Sequence, residues 1–460
     1  AQAIRALPVV IIEMQRLHIL SGRLRLLSGC LVPGHRRAAG LAAHEVPAKR
    51  TITVRDSGTG RSYEVSISGD EVTTDELNRA VHGAPLGLRN AYKGGPRNHV
   101  MKQCVRFIGA GFAEGQNLEG TEMTPPAMRD AGIQGMIERL GWGFKDAGDL
   151  AHEGTDVAAR QRRLESFRAW LRSGTKVSYS EWVKETIRSD DSVHVAKEVS
   201  TDPYLTVKNG RDIGKGCELV YNQVLEASAN GEFALTIGGD HSLGSATIGA
   251  LVKTYPQLAV LWVDAHADAN TPHTSPSNHY HGMSAAHAMG WFRKQVPGFE
   301  WLQSAIAESR IAYIGLRDID PEEGRMLQES GVHVYTMAHV DRLGIAQVVD
   351  MAMSRIDPYH NRPLHLSFDI DAIDPVYAPG TGTLARGGLT YRESHYICEE
   401  LGSSNRLVGM DLVEVNPLVD LLPERMHGDD ADLGPTTQTV SLAMELVLSS
   451  LGKNILNTDV

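Results

Sequence analysis

From Gln103 onward the sequence alternates short apolar runs with longer segments of helical period. Each run is nearly uninterrupted by charge, as is typical of parallel strands that are buried on both faces. The predicted strands are Val105–Gly109, Phe233–Ile237, Ala259–Val263, Ile311–Leu316, Val332–Tyr335, Leu364–Ile370 and Leu407–Val413. Segments such as Leu243–Lys253, Ile345–Ile356 and Thr436–Leu451 are predicted to be amphipathic helices. This alternation predicts an α/β fold, in which right-handed crossovers join the strands of a parallel sheet.

The segment before Gln103 has a different pattern. Residues 51–68 contain two stretches of period 2 around an Asp-Ser-Gly-Thr-Gly turn, which predicts two short strands. Residues 84–100 are rich in Gly and Pro and are predicted to be a linker. We therefore expect a segment at 1–50, a small β-rich extension with its linker at 51–100, and one large domain at 101–460. A charged stretch at 153–201, helical at Ala158–Leu171, is predicted to be an insertion in that domain.

Charge restricts the partners of this chain. The 460 residues include 45 basic and 56 acidic side chains, for a net charge of −11, which disfavours general binding to nucleic acid or anionic membranes. No run of 18 uncharged apolar residues is present, so a transmembrane protein is not expected. Residues 1–50, in contrast, contain eight basic side chains and two acidic ones. Because this composition is typical of a mitochondrial transit segment, the matrix is the expected compartment, with the cytoplasm as the alternative.

Cysteine is scarce and widely spaced. The four cysteines are Cys30, Cys104, Cys217 and Cys398. This spacing disfavours a disulfide framework or a zinc ribbon and favours a reducing compartment. A metal site in this chain must therefore use other ligands.

Three motifs that contain Asp or His follow predicted strands. Gly-Gly-Asp-His-Ser-Leu begins at Gly238, Asp-Ala-His-Ala-Asp begins at Asp264, and Asp-Ile-Asp begins at Asp369. In open α/β sheets, ligands bind beyond the carboxyl ends of the strands. We therefore expect all three motifs to contribute to one site.

The residue types in these motifs favour a metal site. Residues two apart on an extended strand point to the same side, so each motif is expected to present its acidic and imidazole groups together. The predicted ligands are His241, Asp264, His266, Asp268, Asp369 and Asp371. Four carboxylates packed together would repel one another unless cations neutralised them. Mixed carboxylate and imidazole ligands without thiolate favour Mn²⁺, with Co²⁺, Ni²⁺ or Zn²⁺ as alternatives. Two such ions can activate a shared water, which predicts metal-assisted hydrolysis.

Longer motifs around these residues resemble those of the ureohydrolases, the family of arginases and agmatinases. They are Gly-Gly-Asp-His-Ser-Leu, Trp-Val-Asp-Ala-His-Ala-Asp, Ser-Phe-Asp-Ile-Asp-Ala-Ile-Asp-Pro and Gly-Met-Asp-Leu-Val-Glu-Val-Asn-Pro. The resemblance covers about Gln103 to Leu456, so residues 101–460 are the expected catalytic domain. It implies a three-layer α/β/α fold around a parallel sheet, and two Mn²⁺ ions held by the six predicted ligands. The family hydrolyses a guanidino group and releases urea.

The resemblance also implies roles for residues outside the metal set. His281 matches the family's proton shuttle, and an imidazole suits proton delivery to a departing amine. Glu414 matches the carboxylate that pairs with the substrate guanidinium, and Asp268 is expected to orient the attacking hydroxide. The positions that match substrate-binding residues are Asn270 and Ser277 for an α-carboxylate, Asp320 and Glu323 for an α-amino group, and Thr383 in the pocket wall.

One departure concerns the substrate. Arginases usually have Asn two residues before the shuttle histidine, and this chain has His279 there. The expected reaction is hydrolysis of L-arginine to L-ornithine and urea by a homotrimer or hexamer. An agmatinase, or a hydrolase of another small guanidino substrate, is the alternative. A further alternative is an arginase-like accessory subunit of a larger mitochondrial complex.

Overall fold

A computed structural model describes residues 101–173, 202–303, 305–421 and 436–453, together with the backbone of five short strands before residue 74. The chain divides into two units, Ala1–Ala91 and Tyr92–Val460. Among the described residues, no helix is long and apolar enough to cross a bilayer.

The first unit is built from short strands. They are β1 (Ile11–Met14), β2 (Arg23–Arg25), β3 (Arg50–Asp56), β4 (Ser62–Ile67) and β5 (Glu71–Thr73). β3 pairs with β4 antiparallel and with β1 parallel, while β2 pairs with β5 antiparallel. The β3–β4 pair confirms the two strands predicted in residues 51–68, although the turn between them lies outside the described residues.

The second unit contains an eight-stranded sheet in which every neighbouring pair is parallel. Its strands are β6 (Cys104–Ala110), β7 (Gly143–Asp149), β8 (Phe233–Gly238), β9 (Ala259–Val263), β10 (Ile311–Leu316), β11 (His333–Thr336), β12 (Leu364–Asp369) and β13 (Leu407–Val413). The spatial order is β11-β10-β9-β12-β13-β8-β6-β7. The seven predicted strands are therefore confirmed, with bounds that shift by one residue at most. The eighth, β7, was missed because it carries Lys145, Asp146 and Asp149 and is not an apolar run.

Helices cover both faces of the sheet. They are α1 (Thr124–Asp130), α2 (Ile133–Arg139), α3 (Val157–Ser173), α4 (Gly210–Ala229), α5 (Gly244–Thr254), α6 (Ser284–Ala288), α7 (Pro321–Glu329), α8 (Met337–Leu343), α9 (Ile345–Ile356), α10 (Tyr391–Ser403) and α11 (Gln438–Ser450). Alternate residues of one strand pack into different hydrophobic cores: Leu261 joins the core of α9 and α11, and Trp262 joins the core of α4 and α5. The predicted three-layer α/β/α fold is thus confirmed.

The described part of the predicted insertion includes α3, which matches the predicted helix at Ala158–Leu171. α3 buries Leu164, Phe167 and Trp170 in the core that also contains residues of α1 and α2. On its polar side, Arg163 forms ion pairs with Glu119 and Glu122. This helix is therefore packed into the α/β unit, while residues 174–201 lie outside the described residues.

Candidate active site

Four neighbouring strands in the middle of the sheet position the site. The spatial order places β9, β12, β13 and β8 side by side. The segments that follow their carboxyl ends carry His241 after β8, Asp264–Asp268 after β9, Asp369–Asp371 at the end of β12, and Glu414 after β13. Because all four strands are parallel, these segments meet at one edge of the sheet, as predicted.

The local backbone differs from the expected extended strands. β9 ends at Val263, Asp268 has a φ of 48°, and Asp371 lies in a short 3₁₀ turn. The shared-face argument was therefore wrong, although the residues do come together. The turns form because each leading aspartate binds its own backbone: Asp264 Oδ1 accepts from His266 N at 2.7 Å, and Asp369 Oδ1 accepts from Asp371 N at 2.8 Å.

One group of ligands, here called the inner cluster, consists of His241, Asp264 and Asp369. The Nδ1 atom of His241 lies 3.2 Å from Asp264 Oδ2 and 3.2 Å from Asp369 Oδ2. Asp268 Oδ2 is also close, at 3.1 Å from the same nitrogen. Although Nδ1 is buried, it has no aligned hydrogen-bond partner among the described residues. A buried nitrogen that faces three carboxylates in this way fits a cation ligand.

A second group, the outer cluster, consists of Asp264, His266 and Asp371. His266 Nδ1 lies 3.0 Å from Asp371 Oδ2 and 3.6 Å from Asp264 Oδ1. The two clusters therefore share Asp264, one oxygen of which faces each histidine. This arrangement could hold two cations side by side, with Asp264 between them.

The carboxylates of both clusters are electrostatically strained without a cation. Burial, together with the charges of Asp371 and Asp264, raises the pKa of Asp369 well above its usual range. Burial and the charge of Asp264 raise the pKa of Asp371 to about 6. For Asp264 burial acts in the same direction, but His241 and His266 more than offset it and lower the pKa. Divalent cations would relieve this repulsion, so the donor set fits them.

Further groups orient the inner ligands. His241 Nε2 lies 2.9 Å from Ser367 Oγ, and the imidazole stacks on Trp262 with ring centres 4.2 Å apart. Trp262 Nε1 also donates to Asp264 Oδ2 at 2.9 Å. These contacts fix the ring and the carboxylate that face the cluster, as outer-shell partners of metal ligands commonly do.

His281 and Glu414 form a pair beside the clusters. His281 Nδ1 lies 3.0 Å from Glu414 Oε1, which also accepts from the backbone N of His241 at 2.9 Å. Glu414 has a φ of 60°, a left-handed conformation that is uncommon for a glutamate and often found at functional sites. Burial alone would lower the pKa of His281, but the hydrogen bond and charge of Glu414 raise it to about 9. The imidazole is therefore a proton donor at neutral pH.

A cleft of about 300 Å³ opens onto the pair and the outer cluster. Every residue that the sequence predicted for substrate binding lines this cleft: Asn270, Ser277, His279, Asp320, Glu323 and Thr383. His266, Asp268, Asp369 and Asp371 line it as well, whereas His241 and Asp264 are fully buried and do not. The structure thus brings all predicted site residues together around one cleft and the chamber beneath it.

Comparisons with known proteins agree with this geometry. The model of the arginase family matches residues 103–452. The chain belongs to the arginase family, and it is accordingly a hydrolase. It is 35% identical to arginase of Plasmodium berghei over 362 residues, 78% of this chain and 96% of that protein. It is also 35% identical to arginase-1 of Rattus norvegicus over 351 residues, 76% of this chain and 92% of that protein. The crystal structure of arginase from Bacillus caldovelox superposes with a TM-score of 0.60 at 30% identity, over 77% of this chain and 100% of that one.

Two acidic residues of the cleft accept hydrogen bonds from other residues of the protein. Asp320 Oδ2 accepts from Asn270 Nδ2 at 3.0 Å, and Glu323 Oε1 accepts from Ala269 N at 2.7 Å. Asp320 and Glu323 also form the capping box of α7. Burial raises the pKa of Glu323 to about 8. Glu323 is therefore held rigidly at the mouth, mostly protonated at neutral pH.

His279, the departure from the usual arginase pattern, lines the cleft and contacts two residues outside the cleft lining. Its Nε2 lies 3.0 Å from Lys208 Nζ and 2.9 Å from Asn117 Oδ1. Burial, followed by the charges of Lys208 and His281, lowers the pKa of His279 to about 4. The neutral ring can therefore accept a hydrogen bond from Lys208, which places a positive charge beside the cleft, behind His279.

The sequence reasoning did not single out four residues of this site. Ser367 stands two positions before Asp369 on β12, so the period of 2 could have indicated it, and Trp262 stands two positions before Asp264, which directly follows β9. Asp240, next to His241, is fully buried and accepts from Gly115 N at 2.7 Å. Gln116 donates from Nε2 to Glu414 Oε2 at 2.8 Å, across 298 residues of sequence. No local pattern could have indicated Gln116.

Proposed function

We propose that this protein is a binuclear manganese arginase that hydrolyses L-arginine to L-ornithine and urea. The observation that carries this proposal is the pair of ligand clusters that share Asp264 and adjoin the His281–Glu414 pair at one cleft. The relatives named arginase, which align with this chain over nearly their full length, support the choice of substrate.

The residues that would hold the two ions are those of the inner and outer clusters, with Asp268 beside His241. Bound there, a pair of divalent cations would supply the activation of the attacking water. The two imidazoles and the absence of thiolates from the clusters support Mn²⁺. Asp268, whose left-handed backbone turns its carboxylate toward His241, is proposed to orient the nucleophile.

Glu414 is proposed to hold the substrate guanidinium. Its carboxylate is buried, and its pKa is lowered because the pairing with His281 outweighs the effect of burial. It is therefore ionised, and its carboxylate can accept a charge-assisted hydrogen bond from an N–H of the guanidinium. The guanidinium carbon would then lie next to the clusters, because Glu414 Oε1 is bonded to the backbone of His241.

His281 is proposed to donate the proton that the departing amine needs. It lines the cleft, and its raised pKa keeps it protonated at neutral pH. Asn270, Ser277, His279, Asp320, Glu323 and Thr383 would contact the rest of the amino acid from the cleft wall. The positive charge of Lys208, held by His279, supports a substrate with a carboxylate at the mouth over agmatine, which has none.

The test is a urea assay on protein reconstituted with Mn²⁺, with L-arginine and agmatine compared at equal concentration. We expect urea release from L-arginine and much slower release from agmatine. Faster release from agmatine would replace the substrate assignment by the alternative of an agmatinase. Release from neither, together with co-purification in fixed stoichiometry with other chains, would favour the accessory subunit.

Compartment and assembly are separate proposals. The basic composition of residues 1–50 supports the mitochondrial matrix, and family resemblance supports a homotrimer or hexamer. Fractionation of cells that express the full chain tests the first, and the mass of the purified protein in solution tests the second.

A further inference from the structure

We infer that Gln116 is a positioning residue for Glu414: it fixes the orientation of the carboxylate that receives the guanidinium. This inference rests on the proposed function. Gln116 lies in the segment after β6 and contacts the oxygen of Glu414 that His281 does not, and its residue is buried. Its Nε2 to Glu414 Oε2 distance is 2.8 Å, and only the amide nitrogen can face a carboxylate favourably.

The hydrogen bonds of Glu414 show why this contact matters. A carboxylate has about four acceptor positions, two on each oxygen. Both positions on Oε1 are used, by the backbone N of His241 at 2.9 Å and by His281 Nδ1 at 3.0 Å. Gln116 takes one position on Oε2 and leaves the other for the cleft. Among the described residues, Gln116 is the donor that holds this second oxygen.

The segment that carries Gln116 is itself fixed. The N–H of Gly115 donates to Asp240 Oδ2 at 2.7 Å, and the carbonyl of Gly115 accepts from His281 N at 3.4 Å. A β-carbon at Gly115 would lie 2.1 Å from Ser242 Oγ, so the backbone packs directly against the turn that carries His241. Gln116 therefore reaches Glu414 from a backbone tied to the same elements that hold His241 and His281.

Loss of the Gln116 amide would free the carboxylate to rotate. The terminal torsion of a glutamate has a broad, shallow preference, so hydrogen bonds decide its orientation. With only Oε1 held, Oε2 could turn away from the cleft, and its remaining position would no longer be aimed at an N–H of the guanidinium. The effect should be confined to the guanidino end of the substrate, because Gln116 does not line the cleft mouth.

The test is the variant Gln116→Met, which keeps the length of the side chain and removes the donor. We expect kcat/KM for L-arginine to fall about 10- to 100-fold, as for the loss of a hydrogen bond to a charged group. The inhibition constant of L-norvaline should stay at the wild-type value, because this amino acid has the same α groups but an uncharged propyl side chain. The thermal midpoint and the Mn²⁺ content should also stay unchanged.

Gln134→Met is the matched control, because Gln134 also donates to a glutamate, Glu138, but on the exposed side of α2. It should behave as wild type. A Gln116→Met enzyme with unchanged kcat/KM, or one that loses L-norvaline binding, metal and stability together, would overturn the positioning role. If wild-type protein releases no urea from L-arginine, the proposed function itself fails, and this inference fails with it.

Discussion

The inner and outer clusters use the same types of ligand but differ in their access to solvent. His241 is fully buried beneath the cleft, between Trp262 on one side and the carboxylates on the other. His266 leaves 22% of its side chain exposed and lines the cleft. Both clusters depend on Asp264, which is fully buried. The comparison indicates that the two histidines differ: His241 of the inner cluster is sealed in the core, whereas His266 of the outer cluster faces the cleft, and each cluster has one aspartate, Asp369 or Asp371, in the cleft wall.

The largest effect is expected from Asp264→Ala, because this change removes the ligand that the two clusters share. Metal-assisted steps are stabilised by several kcal/mol, so urea release should fall by about a thousandfold or more. Mn²⁺ bound per chain should fall for both clusters, as measured by elemental analysis after dialysis. Asp341→Ala, which removes an exposed carboxylate on α8, is the control and should change neither quantity. Full metal content in Asp264→Ala would disprove the shared role.

A second prediction separates proton delivery from metal binding. His281→Asn should keep both ions and lose about a hundredfold in kcat, the usual range for a general acid. In the wild type, the protonated form is present below the raised pKa and is lost as pH rises, so kcat/KM should decline through about pH 9. The variant should lack this decline in a pH profile measured at constant Mn²⁺. A wild-type profile that is flat between pH 8 and 10 would contradict the assignment.

A third prediction concerns the inner cluster alone. Ser367→Ala removes the hydroxyl at His241 Nε2 and should weaken metal affinity by about 10- to 100-fold at the inner cluster. A titration with Mn²⁺ should then resolve a weaker site beside an unchanged one. Ser394→Ala, which removes a buried hydroxyl that donates to backbone carbonyls of Thr390 and Tyr391, is the control. Equal weakening of both sites would mean that the clusters do not behave separately.

The smallest expected effect concerns the order in which the two metal ions leave the protein. A chelator added to the reconstituted wild type should remove Mn²⁺ in two phases, because His266 of the outer cluster is open to the cleft, whereas His241 of the inner cluster is fully buried. Half of the metal should leave in the faster phase, as followed by the absorbance of a metal indicator. L-Norvaline in the cleft should slow that phase. A single phase for all the metal would show that exposure does not distinguish the clusters.

Much of this arrangement follows from the sequence because strand periodicity and site motifs coincide. Buried parallel strands appear in the sequence as apolar runs, and the segments that follow them carry the polar residues. The sequence alone therefore assigns Asp264, Asp369 and His241 to one edge of the sheet. β7 escaped because an edge strand has one paired side and can carry charge, as Lys145 and Asp146 do. Local pattern therefore predicts the strands that are apolar runs, including β11 at the other edge of the sheet.

The contacts that orient the site were less predictable. The bond between Gln116 and Glu414 joins residues that are far apart in the sequence, and only the folded chain brings them together. The left-handed backbone of Asp268 was not predicted either, because the spacing of Asp264, His266 and Asp268 suggested an extended strand. The sequence shows that His279 departs from the usual arginase pattern. Its contact with Lys208 could not be predicted, because the two residues are 71 positions apart.

The turns after β9 and β12 bear on the order in which the protein matures. In both, one oxygen of the leading aspartate is committed to a backbone N–H, which leaves the other to face His241. The orientation of these carboxylates is therefore set by main-chain geometry. Because the pKa values of Asp369 and Asp371 are raised, protons on these groups can limit the repulsion between carboxylates before metal binds. Because main-chain hydrogen bonds already aim both carboxylates at His241, we expect such a chain to complete its fold before it binds metal.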